Sequence, residues 1–473
     1  MSHHDSSRRA FLRRTGVLSM MGAAAPWAAS LATMAEAAAA TSGNDDYKAL
    51  VCVFLNGGND HGNTVIPCDA DGHQAYAAAR QNLARTADEL LNTKLTPRHV
   101  LPSGREVAFP PEWAPLKDLF EKRRLSMLLN IGPLLQPTTL ADFRSNIQLP
   151  PQLFSHNDQQ AVWQSYQPEG GTVGWGGRVG DLLMSSNSSG KAAFTCVNVA
   201  GNAVYLAGDT VVPYALAPDG PAPLLASRST GLFGSSRASE VFQSLVTRQD
   251  HPVLLARTHA NVMKRAMEGQ KTLSEALLTA PSNLPSMFTT SVDGKPRRLA
   301  EQLLMVARTI AARHALGLKR QVFFVSLGGF DLHDRLMLDH PRLMDQVAQA
   351  LASFDAAMQS LGVDRQVTTF TASDFGRTLT SNGDGSDHGW GGHHLVMGGA
   401  VTGGHLHGTL PEPGLGANDQ VGQGRLLPSL SVDQLAAELG RWMGVSSTNL
   451  ELVAPRYKRF GASELSGLFA AGT

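Results

Sequence analysis

Several stretches of this chain hold runs of apolar and uncharged residues with no regular alternation. Ala49–Leu55 (ALVCVFL), Arg123–Gly132 (RRLSMLLNIG), Gln321–His333 (QVFFVSLGGFDLH) and Arg365–Arg377 (RQVTTFTASDFGR) are of this kind. An apolar run that ends in glycine or a polar turn predicts a strand of a parallel sheet, covered on both faces. His394–Val401 (HLVMGGAV) predicts a fifth, shorter strand. Between the third and fourth runs, Leu343, Val347, Leu351, Phe354, Met358 and Leu361 recur at steps of four and three, which defines one face of a helix. Arg298–Leu318 repeats that pattern, and Val432 onward predicts a helix capped by Ser431. Strands alternating with amphipathic helices predict an α/β fold with a mainly parallel sheet. In such sheets functional sites gather at the carboxyl ends of strands, where GGND, GGFDLH and SDFGR fall here.

The stretch from about 195 to 296 breaks the pattern with proline-rich turns and short apolar runs, and reads as an insertion or cap on a single domain spanning 45–465. Composition changes the picture little. The 473 residues are 42% hydrophobic and 17% charged, enough for a large core. Lys plus Arg equals Asp plus Glu at 40 each, which excludes nucleic acid as an evident partner. Cys52 reads as a small core residue. Nothing in the spacing requires Cys68 and Cys196 to pair, and no zinc-knot spacing is present.

Residues 1–40 stand outside the predicted fold. SRRAFLRR (Ser7–Arg14), a weakly apolar run broken by Pro26, and small-residue cleavage sites after Ala37 or Ala40 together resemble a twin-arginine export signal. This predicts a periplasmic or secreted protein with no stable membrane span in its mature form.

The polar residues at the strand ends carry the candidate chemistry. Asn59 and Asp60 follow the first run, Asp331 and His333 the third, and Asp374 and Arg377 the fourth. The glycine-rich stretch SDHGWGGHHLVMGG adds Asp387, His388, His393 and His394. Carboxylates and imidazoles converging from several strand ends form the ligand set of a hydrolytic zinc, manganese or iron site. His405 and His407 read as edge-strand or loop residues. Ser155 opens a helix with Asp158 in its first turn, so it is an N-cap or, beside a metal, a nucleophile. Arg377 is suited to clamp an anionic group, and His156 or Arg377 to stabilise an oxyanion. Trp390 either walls the pocket or packs in the core.

SRRAFL, VFLNGGNDHGNTVIP, SHNDQQAVW, VSLGGFDLH, FTASDFGRT and SDHGWGGHHLVMGGAV occur in that order over nearly the whole chain. Together they resemble the exported bacterial family called domain of unknown function 1501, whose activity is not established. That family is similar to the alkaline phosphatase superfamily, which includes sulfatases. The resemblance implies a doubly wound sheet with helices on both faces, one or two divalent ions, and an anionic small molecule or glycan as ligand. It implies a metal-binding carboxylate at Asp60 or Asn59, a nucleophile at Ser155, ligands Asp331 and His333, a third acid Asp374, and a final ligand His388. Two features depart from the pattern. Asp331 and His333 are two apart rather than four, and Phe375 occupies the place of a histidine after Asp374. Asp387-His388 is the alternative Asp-His pair, with His393 or His394 as last ligand. The activity implied is hydrolysis of phosphate or sulfate esters. The alternative is a non-catalytic periplasmic binding protein on a degenerate version of the fold, and a further rival is a metal-independent hydrolase using Ser155 and His156.

Overall fold

The computed structural model describes residues 46–188, 190–201, 203–223, 231–461 and 463–470. The predicted export signal lies outside the described residues. Among these residues, nine strands form one sheet: β1 (Lys48–Asn56), β2 (Leu125–Gly132), β3 (Cys196–Asn198), β4 (Tyr214–Ala215), β5 (Arg320–Gly328), β6 (Val367–Ser373), β7 (Gly392–Met397), β8 (Leu406–His407) and β9 (Leu430–Ser431). Their order is β8-β2-β7-β6-β1-β5-β3-β4, with β9 also paired to β2.

Alternate residues of β1 serve two cores, which is why its sequence shows no polar face. Ala49, Val51, Val53 and Leu55 pack on one side, with helices Arg298–Ala311 and Leu336–Ser360. Leu50, Cys52 and Phe54 pack on the other, with helices His156–Ser165, Trp175–Leu183 and Val432–Met443. The sheet is therefore doubly wound, and the apolar faces predicted for the helices are the ones that meet it. Ser431 caps its helix as expected, with Gln434 completing a capping box. All three cysteines are free, so Cys68 and Cys196 do not pair.

Two features of the architecture differ from the sequence reading. The stretch 195–296 is not only a cap, because β3 and β4 within it extend the central sheet beyond β5. The second is the direction of β7. Every pairing in the sheet is parallel except those of β7, which is antiparallel to both β6 and β2. An apolar run carries no mark of its direction, so the sequence did not show this. The reversal matters for the site. The loop 374–391 leaves the carboxyl end of β6 and re-enters the sheet at the same edge, so SDFGR and SDHGW stay together. Leu55 pairs with both Leu327 and Ser373, so the loops after β1, β5 and β6 leave the sheet flush.

Candidate metal centre

At that edge Asp331 is the common neighbour of three imidazoles. It lies just past β5, where the chain turns against the loop after β1. Gly57 makes the approach feasible: its φ is +115°, and a Cβ there would collide with the Asp331 backbone nitrogen. His156 heads its helix, and its Nε2 is 3.4 Å from Asp331 Oδ2. His333 Nε2 is 3.0 Å and His388 Nε2 3.3 Å from Asp331 Oδ1. Donor atoms of His156, Asp331 and His388 all lie within 4.8 Å of one another, the spacing a single ion would bridge.

The far side of each ring faces an acceptor. His156 Nδ1 is 2.7 Å from Asp374 Oδ2, His388 Nδ1 is 2.8 Å from the Phe154 carbonyl, and His333 Nδ1 is 3.3 Å from Asp387 Oδ1. A carbonyl only accepts, so the His388 Nδ1 carries the proton and its Nε2 a lone pair. The same logic applies to the two rings facing carboxylates. Three lone pairs thus point at one place. His333 Nε2 and His388 Nε2 are 2.9 Å apart, a contact that needs a proton or a cation between them. Among the described residues, His156 Nε2 is buried and has no hydrogen-bond partner. An acceptor behind each ligating histidine is the usual support of a metal site. The residues present therefore fit a divalent ion. Phe154 is itself in the left-handed region, with φ 71°, a strained conformation for an aromatic side chain that is held where its carbonyl meets His388.

The electrostatics of the cluster follow from the same contacts. The hydrogen bond to Asp374 raises the His156 pKa against the opposing effect of burial. Burial pushes the Asp331 carboxyl upward, but the Arg377 guanidinium, together with His156 and His333, holds the group below the usual carboxylate range. Burial lowers the His388 pKa, which keeps that ring neutral. Asp387 is held low mainly by a hydrogen bond from Asn382.

Several expected residues take other parts. Arg377 is fully buried, whereas Asp331 is 45% exposed. Its Nη1 donates to Asp331 Oδ1 at 2.8 Å and to the Gly57 carbonyl at 2.9 Å, while Nε and Nη2 donate to Ser386. Every nitrogen is engaged, so Arg377 holds the acid instead of offering an open fork to an anion. Ser155 occupies the N-cap position, but its hydroxyl donates to Asp158 Oδ2 at 2.9 Å. Asp60 does not join the cluster: its carboxylate is buried in an ion pair with Arg80. Asn59 is also buried, with its Oδ1 3.1 Å from His340 Nε2. His393 lies inside β7, where its Nδ1 accepts from the Asn130 amide at 3.0 Å, and His394 packs against Trp163. Both sit in the sheet because β7 is central and buried on both faces. Trp390 is a core residue whose Nε1 donates to the Pro133 carbonyl.

The structure brings together Asp331, His333, Asp374, Asp387 and His388, and adds His156. Sequence reasoning gave His156 an oxyanion role and did not foresee it as a ligand. The signal was the histidine it missed beside Asp374: Phe375 stands there, and the imidazole that meets Asp374 comes from SHND at a helix head. Phe375 instead walls the cluster, its ring 4.7 Å from His156 and 4.8 Å from His388.

Residues 117–452 match the family described as protein of unknown function DUF1501. The chain belongs to that family. No curated protein matches it. Among solved structures this DUF1501 chain is similar to Ps i-CgsB in complex with k-i-k-neocarrahexaose, at 9% identity and TM-score 0.35, covering 86% of this chain and 74% of that one. It is also similar to a Bacteroides thetaiotaomicron structure, BT33494S-sulf, described under the metabolism of multiple glycosaminoglycans. That match has 11% identity and TM-score 0.31, covering 85% and 74%.

Proposed function

We propose that this chain is a metal-dependent hydrolase of phosphate or sulfate esters, centred on His156, Asp331 and His388 with His333 beside them. The observation that carries the proposal is the convergence of three imidazole lone pairs on one carboxylate, each ring backed by an acceptor. A divalent ion held there would polarise an ester oxygen and lower the pKa of a bound water. Asp374 and the Phe154 carbonyl fix two of the rings in the ligating tautomer. Arg377 fixes Asp331, and Phe375 keeps one side of the cluster dry. The ester class rests on the resemblance of the motifs to the alkaline phosphatase superfamily. Ser155 has given its hydroxyl to Asp158, so the reading does not use it as nucleophile.

The test is turnover of an aryl phosphate and an aryl sulfate by protein purified without chelator. Turnover that is lost on chelation, restored by zinc or manganese, and retained in Ser155→Ala is the expected result. Less than stoichiometric metal, with no loss of stability on adding chelator, would leave the non-catalytic binding protein as the better account. Loss of turnover in Ser155→Ala at unchanged metal content would return the nucleophile to that serine.

We also propose export to the periplasm or beyond, on the SRRAFLRR segment. Replacing Arg8 and Arg9 by lysine should retain the precursor in the cytoplasm on fractionation. Export at the parent level in that variant would refute the assignment.

A further inference from the structure

Two histidines that take no part in the metal cluster border a cavity of their own. His61 follows β1 and His393 lies in β7, and their rings meet edge to face with centroids 5.6 Å apart. Both line a cavity walled by Val65, Leu379, Leu410 and Leu426. His61 is 2% exposed and His393 4%. Arg377 links this place to the cluster, since its amide meets His61 and its guanidinium Asp331.

The backbone fixes the tautomer of both rings. The Arg377 N–H donates to His61 Nδ1 at 3.3 Å, and the Asn130 N–H donates to His393 Nδ1 at 3.0 Å. A neutral ring whose Nδ1 accepts carries its proton on Nε2. Burial keeps both rings neutral: it lowers the His61 pKa to about 4 and pushes His393 well below the ordinary imidazole value. In each ring the proton-bearing nitrogen is therefore the one not turned to the backbone. Among the described residues His61 Nε2 is buried and has no hydrogen-bond partner. A buried donor left without an acceptor is costly, so this one calls for an acceptor from outside the chain.

The walls narrow what that acceptor can be. The space inside is about 30 Å³, which admits roughly two or three heavy atoms. The remaining lining side chains are apolar except Tyr76 and Glu412, and the Tyr76 hydroxyl already donates to Asn63 Oδ1. Two N–H donors suit an oxygen with two lone pairs and no proton of its own, because an alcohol would bring a proton with little to receive it. Glu412 is exposed between Pro411 and Pro413 and disfavours an anion, while the N–H donors disfavour a cation.

We infer that this cavity takes the carbonyl end of a small uncharged molecule, held by His61 and His393. Heteronuclear NMR of the full chain with isotopically labelled histidine tests it, with butanone, sec-butanol and butanoate as probes. Millimolar butanone should shift the Nε2–H signals of His61 and His393 saturably. sec-Butanol should bind about tenfold more weakly, and butanoate should leave both signals in place. Leu410→Trp, which fills the cavity from a half-buried position, should abolish the butanone shifts at an unchanged melting curve. The comparison of the three probes on the parent chain decides the matter even if that variant does not fold. No saturable shift of either ring overturns the inference. Equal binding of all three probes overturns it as well, because the cavity would then select bulk and not a carbonyl. So do shifts confined to His156, His333 and His388, which would place the probe at the metal cluster.

Discussion

Asp331→Ala, purified without chelator, is expected to carry less than about a tenth of the zinc, manganese or iron found in the parent chain. All three imidazoles of the cluster orient toward this one carboxylate, and its loss removes both a ligand and the charge that offsets a divalent cation. His156→Ala should approach the same result. Asp374→Asn keeps the shape but weakens the acceptor behind His156, and should lower metal affinity by about 10–100-fold. Elemental analysis and chelator competition measure both quantities. Protons should compete for the site as pH falls, because Asp374 raises the His156 pKa and so favours the charged ring, which cannot ligate. Metal content should therefore decline from neutral to acid conditions. Parent-level metal in Asp331→Ala would remove the basis of the proposed centre.

Arg80→Met is expected to destabilise the fold by about 3–5 kcal/mol at neutral pH, because it strands a buried carboxylate. Asp60 and Arg80 are 1% and 0% exposed, and Arg80 also donates to the Thr378 carbonyl at 3.1 Å. Burial alone would raise the Asp60 pKa, but Arg80, with help from His340, His61 and Arg377, holds it below the usual range. In the parent, this lowered pKa contributes stability above the carboxyl's unfolded value and loses it in acid. Without Arg80 the native pKa rises above the unfolded value, so the native state binds the extra proton and stability falls as pH increases. The gap between variant and parent should then widen from acid to neutral pH in denaturant unfolding. Asp60→Asn combined with Arg80→Met should recover part of the loss. The single variant Asp60→Asn should leave metal content unchanged, since Asp60 stands outside the cluster. A neutral-pH cost below about 1 kcal/mol for Arg80→Met would mean the pair behaves like an exposed one.

The strands and the main helices were legible because burial on two faces writes itself as an unbroken apolar run, and burial on one face as a helical stripe. The edge at which the site lies was legible too, because β1, β5 and β6 each end in a polar, glycine-rich turn. The roles of individual side chains were less so. His393 and His394 stand five and six residues from His388, with the same residue type and the same glycines around them. Only the entry of the chain into β7 at Gly392 separates a solvent-facing ring from two core rings. Asp60 carries the same carboxylate as Asp331 at an equivalent strand end. Its fate depends on Arg80, which a helix delivers from twenty residues away.

Chain order and residue type, then, determined by themselves the α/β class, the two-faced sheet and the set of acids and imidazoles from which a centre is drawn. The family was visible there as well. Tertiary structure alone decided which members of that set meet, because the meeting depends on the reversed direction of β7, on a helix head that brings His156 to Asp374, and on buried arginines that claim Asp60 and brace Asp331. These are contacts between residues far apart in sequence, and local pattern holds no record of them.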